Sequence, residues 1–151
     1  MKAINTGRAL LGGIVAGLII DVIESAMNGY VLKNNWADAL KALGRSGDVS
    51  GGAIGIYMLG GMITGIIGVW LYSAMAGRLG LGSITAAKAG LVVWACMSAI
   101  PTLYQLPSAL FPGNLLAMST ITDFFAILLG VTLGSRLYRD EPSSIAESAR
   151  A

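Results

Sequence analysis

Histidine is absent from the 151 residues, cysteine occurs once, as Cys96, and only 12% of the side chains are charged. Each shortage excludes something. Without histidine the chain lacks the commonest general base and the commonest zinc and haem ligand. A single cysteine makes no internal disulfide, so the redox compartment stays open. A soluble domain is usually about one quarter charged, and the shortfall points to lipid as the solvent. The net charge is +2, and the basic residues flank apolar runs without forming a nucleic-acid patch. There is no Gly-rich phosphate loop with Lys-Ser or Lys-Thr, and no serine or cysteine has a histidine beside it. No catalytic residue, metal site or cofactor is expected.

What is present is apolar sequence: 55% of residues are hydrophobic and the mean hydropathy is +0.72. Long apolar stretches predict an all-α bundle of four membrane-spanning helices, at about residues 9–31, 53–76, 84–106 and 115–138. The first is ~35 Å long at ~1.5 Å per residue, enough to cross ~30 Å of hydrocarbon. Residues 1–139 form one domain, and 140–151 form a polar cytoplasmic tail. Lys2 and Arg8 before the run from Ala9 to Ile20 resemble the start of a signal peptide. The amphiphilic run continues to Leu32 and no small-x-small site precedes Glu24, so a retained helix is expected.

Between the first two spans, Trp36, Ala39, Leu40 and Leu43 recur at helical spacing over residues 35–44. The segment is too short to span and reads as an amphipathic helix in the headgroup plane, capped by Asn35 and ended by Gly44. A partly helical loop is the alternative. Tyr30 and Trp36 fall at the far interface. Pro101 sits late in the third span and removes the N–H bond to the Met97 carbonyl, so the helix kinks there or ends. Asn114 can cap the fourth span.

Orientation follows from the basic flanks. Lys2, Arg8, Arg78, Lys88, Arg136, Arg139 and Arg150 lie on one side, and Lys33, Lys41 and Arg45 on the other. The excess places both termini in the cytoplasm of a bacterial inner membrane. A weak repeat pairs Ala16-Gly17-Leu18 and Ser25-Ala26 with Ala89-Gly90-Leu91 and Ser98-Ala99, and Gly68, Leu71 and Tyr72 with Gly134, Leu137 and Tyr138. Two tandem helical hairpins give such a pattern, as does chance among apolar helices.

The polar residues inside the spans are few. On the first helix Gly13, Gly17, Asp21, Glu24 and Asn28 fall within ~80° of one another. On the second, Tyr57, Gly61, Gly65, Gly68 and Tyr72 share a face, and on the fourth Ser119, Asp123, Gly130 and Gly134 share a stripe. Glu24 lies ~10 Å from the outer end of its helix, Asp123 ~12 Å from the start of its own, and Asp21 ~4.5 Å deeper than Glu24. Three carboxyls therefore reach one layer, with Ser98, Thr120, Thr122, Thr64 and Tyr57 near it and no lysine or arginine among them. Ionised, each carboxylate costs a few kcal/mol in hydrocarbon. Protonated acids, a shared proton or a bound cation are the expected states.

Two functions from different classes follow. Acids, hydroxyls and glycines can be interhelical glue, at ~1 kcal/mol per hydrogen bond. That reading makes the chain a non-catalytic membrane subunit, associating with copies of itself or with a larger membrane assembly, and it is the leading expectation. The second is proton- or cation-coupled transport by an oligomer, through Asp21, Glu24 and Asp123. A two-aspartate hydrolase using Asp21 and Asp123 is a distant third. The glycine stripe followed by acids, Asn28-Gly29, Trp36, Leu43-Gly44 and Leu137-Tyr138-Arg139 together resemble small four-helix bacterial inner-membrane proteins to which no activity is assigned. That resemblance implies a fold and no site.

Overall fold

The computed structural model describes residues 4–138. Lys2, Arg139, Arg150 and the tail 140–151 lie outside them. Four helices among the described residues are long and apolar enough to cross a membrane: Thr6–Val31, Gly51–Leu79, Ser83–Ser108 and Gly113–Leu137. Each extends its predicted span at the start, by one to three residues.

The first begins as α1, Thr6–Ala26, with the Asn5 side chain accepting from the Arg8 N–H at 3.0 Å. It ends in a π-helical turn, Met27–Val31, closed by the Leu32 N–H on the Met27 carbonyl at 2.7 Å. The short amphipathic helix α2 follows at Lys33–Ala42. Leu32 precedes it without a side-chain cap, so Asn35 lies inside this helix rather than at its N-terminus. Gly44, at φ 71°, closes α2 as expected: its N–H bonds the Lys41 carbonyl and the Arg45 N–H bonds that of Leu40.

Helix α3, Gly51–Leu79, is capped by the Ser50 hydroxyl, which accepts from the Ala53 N–H at 3.2 Å. A glycine-rich turn leads into α4, Ser83–Trp94. The chain then widens into a second π-helical turn, Ala95–Ala99, where the Ile100 N–H reaches back to the Ala95 carbonyl. Helix α5, Ile100–Gln105, continues past Pro101 and finishes in a 3-10 turn to Ser108. The helix does not end at the proline. A widened turn just before it eases the clash of the ring with the preceding carbonyl. Helix α6, Gly113–Gly134, follows Pro112 with no side-chain cap, so Asn114 does not act as one.

Helix α1 packs against α3 and α6, and α4 packs against α6 and α3. The closest approach joins α1 and α3. A Cβ on Gly13 would lie 2.6 Å from Ile66 Cα, one on Gly17 2.6 Å from Met62 Cα, and one on Gly65 2.6 Å from both the Gly13 carbonyl and Gly17 Cα. Gly130 faces the Ala16 carbonyl, Gly134 faces that of Gly12, and Gly68 receives the Val131 side chain. The glycine stripes thus hold the helices of one chain together. Buried hydroxyls toward the chain termini bond locally: Ser73 to the Trp70 carbonyl, Thr85 to that of Gly80, Ser135 to that of Thr132.

The weak repeat has a geometric counterpart. Gly17 faces Met62, and its counterpart Gly90 faces Leu128, with the Cβ position 3.3 Å from Leu128 Cα. Met62 lies six residues before Gly68, and Leu128 lies six before Gly134. Matched glycines therefore face matched positions. Tyr72 and Tyr138, matched with one another, meet edge to face at 5.9 Å. Two like hairpins paired about a local twofold give these contacts.

Candidate functional site

The half of the bundle nearer α2 is built differently from the half nearer the termini. Here the close glycine contacts give way to polar side chains. Both π-helical turns lie in this half, and each presents a polar group to a carboxyl. Asn28, on the first turn, donates from Nδ2 to Glu24 Oε2 at 2.7 Å. Ser98, on the second and buried, donates its hydroxyl to Asp123 Oδ2. The Glu24 and Asp123 carboxyls stand within hydrogen-bonding reach of one another, with Asp21 near enough to act on Glu24 electrostatically. A π-turn rotates the following side chains relative to a regular helix, and such turns recur at functional sites.

Asp21 is 7% exposed and turns toward α3, where one of its oxygens fills the space that a Cβ on Gly61 would need. Glycine at position 61 is what admits this carboxyl. Among the described residues, Asp21 Oδ2 and Glu24 Oε1 are buried side-chain oxygens with no hydrogen-bond partner. The ion pair there, Lys41–Asp38 at 3.9 Å, is exposed on α2 and remote from these acids. No three His, Cys, Asp or Glu side chains among the described residues are grouped to hold a metal ion.

A chain of polar contacts leads outward from the carboxyl pair. The Trp36 indole N–H, on α2, donates to Asn28 Oδ1 at 2.9 Å, and Ser119 on α6 reaches the same oxygen at 3.5 Å. Trp36 is thus more than an interfacial anchor. Its ring meets Phe111 edge to face at 5.6 Å, holding α2 over this end of the bundle. A cavity of about 180 Å³ lies beside the network, lined by Trp36, Ser98, Thr102, Ser119, Thr120 and Asp123 among others. Replacing Trp36 with phenylalanine keeps the ring and removes the bond to Asn28. The expected cost is about 1 kcal/mol, read as roughly fivefold faster amide hydrogen exchange across α2.

The structure brings Glu24, Asn28, Ser98 and Asp123 together and places Asp21 at their edge. Thr120 lines the cavity, but its hydroxyl pairs with that of Thr102 at 2.8 Å, and its carbonyl accepts from the Trp94 indole at 3.0 Å. Thr64 and Thr122 hydroxyls bond the carbonyls of Gly60 and Met118 on their own helices, and Tyr57 is 69% exposed. These three do not reach the carboxyls. Sequence reasoning did not single out Thr102 or Trp94. Their helical register on α4 and α5 could have indicated them, once the π-turn before Pro101 was allowed for.

No protein family, curated protein or solved structure matches this chain, so the functional argument rests on the geometry.

Proposed function

We propose that this chain is a multi-pass protein of a bacterial inner membrane, with both termini cytoplasmic, that takes up protons at the Glu24–Asp123 pair. One observation carries the reading: two carboxyls face each other in a part of the bundle where no described basic side chain neutralises them. A hydrogen bond between two carboxyls requires a proton on one of them. Dispersal of the acids, with no group of three set to hold a metal, favours a proton over a metal cation. The contacts from Trp36 through Asn28 to Glu24 supply polar groups on the α2 side, whereas glycine contacts pack the terminal half. Uptake is therefore from the α2 side.

The test is proton movement into liposomes holding the purified protein and a trapped pH-sensitive dye. After an acid pulse, vesicles containing the protein should acidify faster than protein-free vesicles of the same lipid. Equal rates would remove the reading.

A second reading is a non-catalytic subunit that associates with copies of itself or with a membrane partner. One observation favours it. The first turns of α3 stand clear of the bundle, with Ile56 70% and Tyr57 69% exposed and open space around Gly51, Gly55 and Gly60. The glycine stripes no longer support it, since they pack within the chain.

A further inference from the structure

The cavity beside Asp123 has a use beyond proton uptake. Its volume, about 180 Å³, is some six times the share of one water in the liquid, ~30 Å³. It is too large to be a proton path alone and too small for a lipid tail. Its wall combines one carboxyl, Asp123, with the hydroxyls of Ser98, Thr102, Ser119 and Thr120, the Gln105 amide and the Trp36 ring. Behind Asp123 stand two further acids on α1, and the 93%-buried Asp21 still has an oxygen without a partner.

Each alternative occupant conflicts with some part of that wall. An anion would meet three carboxyls and no described cation. An apolar solute would leave four hydroxyls and an amide without water. A bare metal ion needs several hard oxygens drawn around one point, and the acids are not so grouped. A small organic cation fits all of it: N–H donors for Asp123, the hydroxyls and the Gln105 carbonyl oxygen, and a positive charge for the Trp36 ring. We propose that the cavity binds a small monovalent organic cation bearing N–H groups, of the guanidinium or primary-ammonium class, in exchange for the proton held between Glu24 and Asp123.

The charge balances. With the proton bound, the pair carries one negative charge fewer. When the cation enters, the proton leaves toward the α2 side, and the total charge of the site is unchanged. The titratable groups facing Asp123 are Glu24 and, behind it, Asp21, both on α1. The π-turn and α5 present Ser98, Thr102 and Gln105, and α2 presents Trp36.

This inference rests on proton uptake at the pair, and its test separates the two. The full chain in lipid nanodiscs is titrated with guanidinium or methylammonium chloride in weakly buffered solution containing a pH dye. Saturable release approaching one proton per chain is expected, with an apparent affinity that rises by up to about tenfold per pH unit. Asp123→Asn should abolish the release, and Asp48→Asn, on the exposed loop before α3, should leave it unchanged. Wild type that conducts protons but releases none on adding either cation overturns this inference and leaves proton uptake standing. Equal release by sodium or by tetramethylammonium, which has no N–H, overturns the proposed ligand class. Release that persists in folded Asp123→Asn places the site elsewhere and overturns it. Should that variant not fold, wild-type affinity that is independent of pH overturns it.

Discussion

Gly65→Ala is expected to cost about 3 kcal/mol or more of folding stability and to reduce the yield of folded protein severalfold. The added methyl would lie 2.6 Å from the Gly13 carbonyl and from Gly17 Cα, and closer still to the Gly17 nitrogen. All three are backbone atoms of α1. No rotamer change relieves the clash, so α1 and α3 must separate along their closest contact. Separation would also draw Gly61 away from Asp21 and Met62 away from Gly17. Gly55→Ala is the control. Nothing lies within 4 Å of that position, and alanine is favoured over glycine in a helix by about 1 kcal/mol. Unfolding in mixed detergent micelles measures both. Equal stability of the Gly65 variant and wild type would mean that α1 and α3 do not meet as described.

Asp123→Asn is expected to lower proton flux by about 100-fold or more while changing stability by no more than about 1 kcal/mol. Asparagine has almost the same shape. Its carbonyl oxygen still accepts from Ser98, and its amide still donates to Glu24. It has no acidic proton to give or take, so the pair becomes a single acid beside an amide. Flux in the liposome assay and unfolding in micelles then move independently. Loss of both would point to packing, and retention of both would place proton movement elsewhere. Removing the side chain with Asp123→Ala is less informative, because it strands Ser98 and Glu24 in a dry interior.

Much of the scaffold was legible because lipid imposes a simple rule. A run of apolar residues of fixed length must be helical, so the four spans were found within a few residues of their ends. The stripes Gly13/Gly17, Gly61/Gly65 and Gly130/Gly134 were legible for the same reason: helical spacing puts small residues on one face. Which face meets which helix was not legible, and a choice between contacts within the chain and contacts between copies stayed open. Depth counting placed Glu24 and Asp123 in one layer, and they meet. It also placed Asp21 there, yet Asp21 turns to Gly61. Depth fixes height along a helix, whereas direction depends on its neighbours.

The π-turns were the main loss. Nothing local in Met27–Val31 or Ala95–Ala99 distinguishes them from α-helix, apart from Pro101 after the second. They come from tertiary demands, namely Asn28 reaching Glu24 and Trp36, and Ser98 reaching Asp123. The caps at Asn35 and Asn114 were misplaced because capping residues are common in loops, and the helices began a residue or two earlier. Trp36 showed its aromatic character in the sequence but not its hydrogen bond, since α2 had no predicted position over the bundle.

The tight glycine packing of the terminal half has an electrical consequence. Asp21 stands ~22 Å from the start of α1, counting fifteen residues at ~1.5 Å each. In the bilayer proposed here, a half with a polar cavity screens an applied field better than a half of interlocked backbone. Most of the transmembrane voltage then falls between the acids and the terminal face. A charge crossing that stretch is driven by up to about 2.3 kcal/mol for each 100 mV, while one moving within the cavity feels little. The protein would be voltage-sensitive without a row of arginines, because of where its interior is dry.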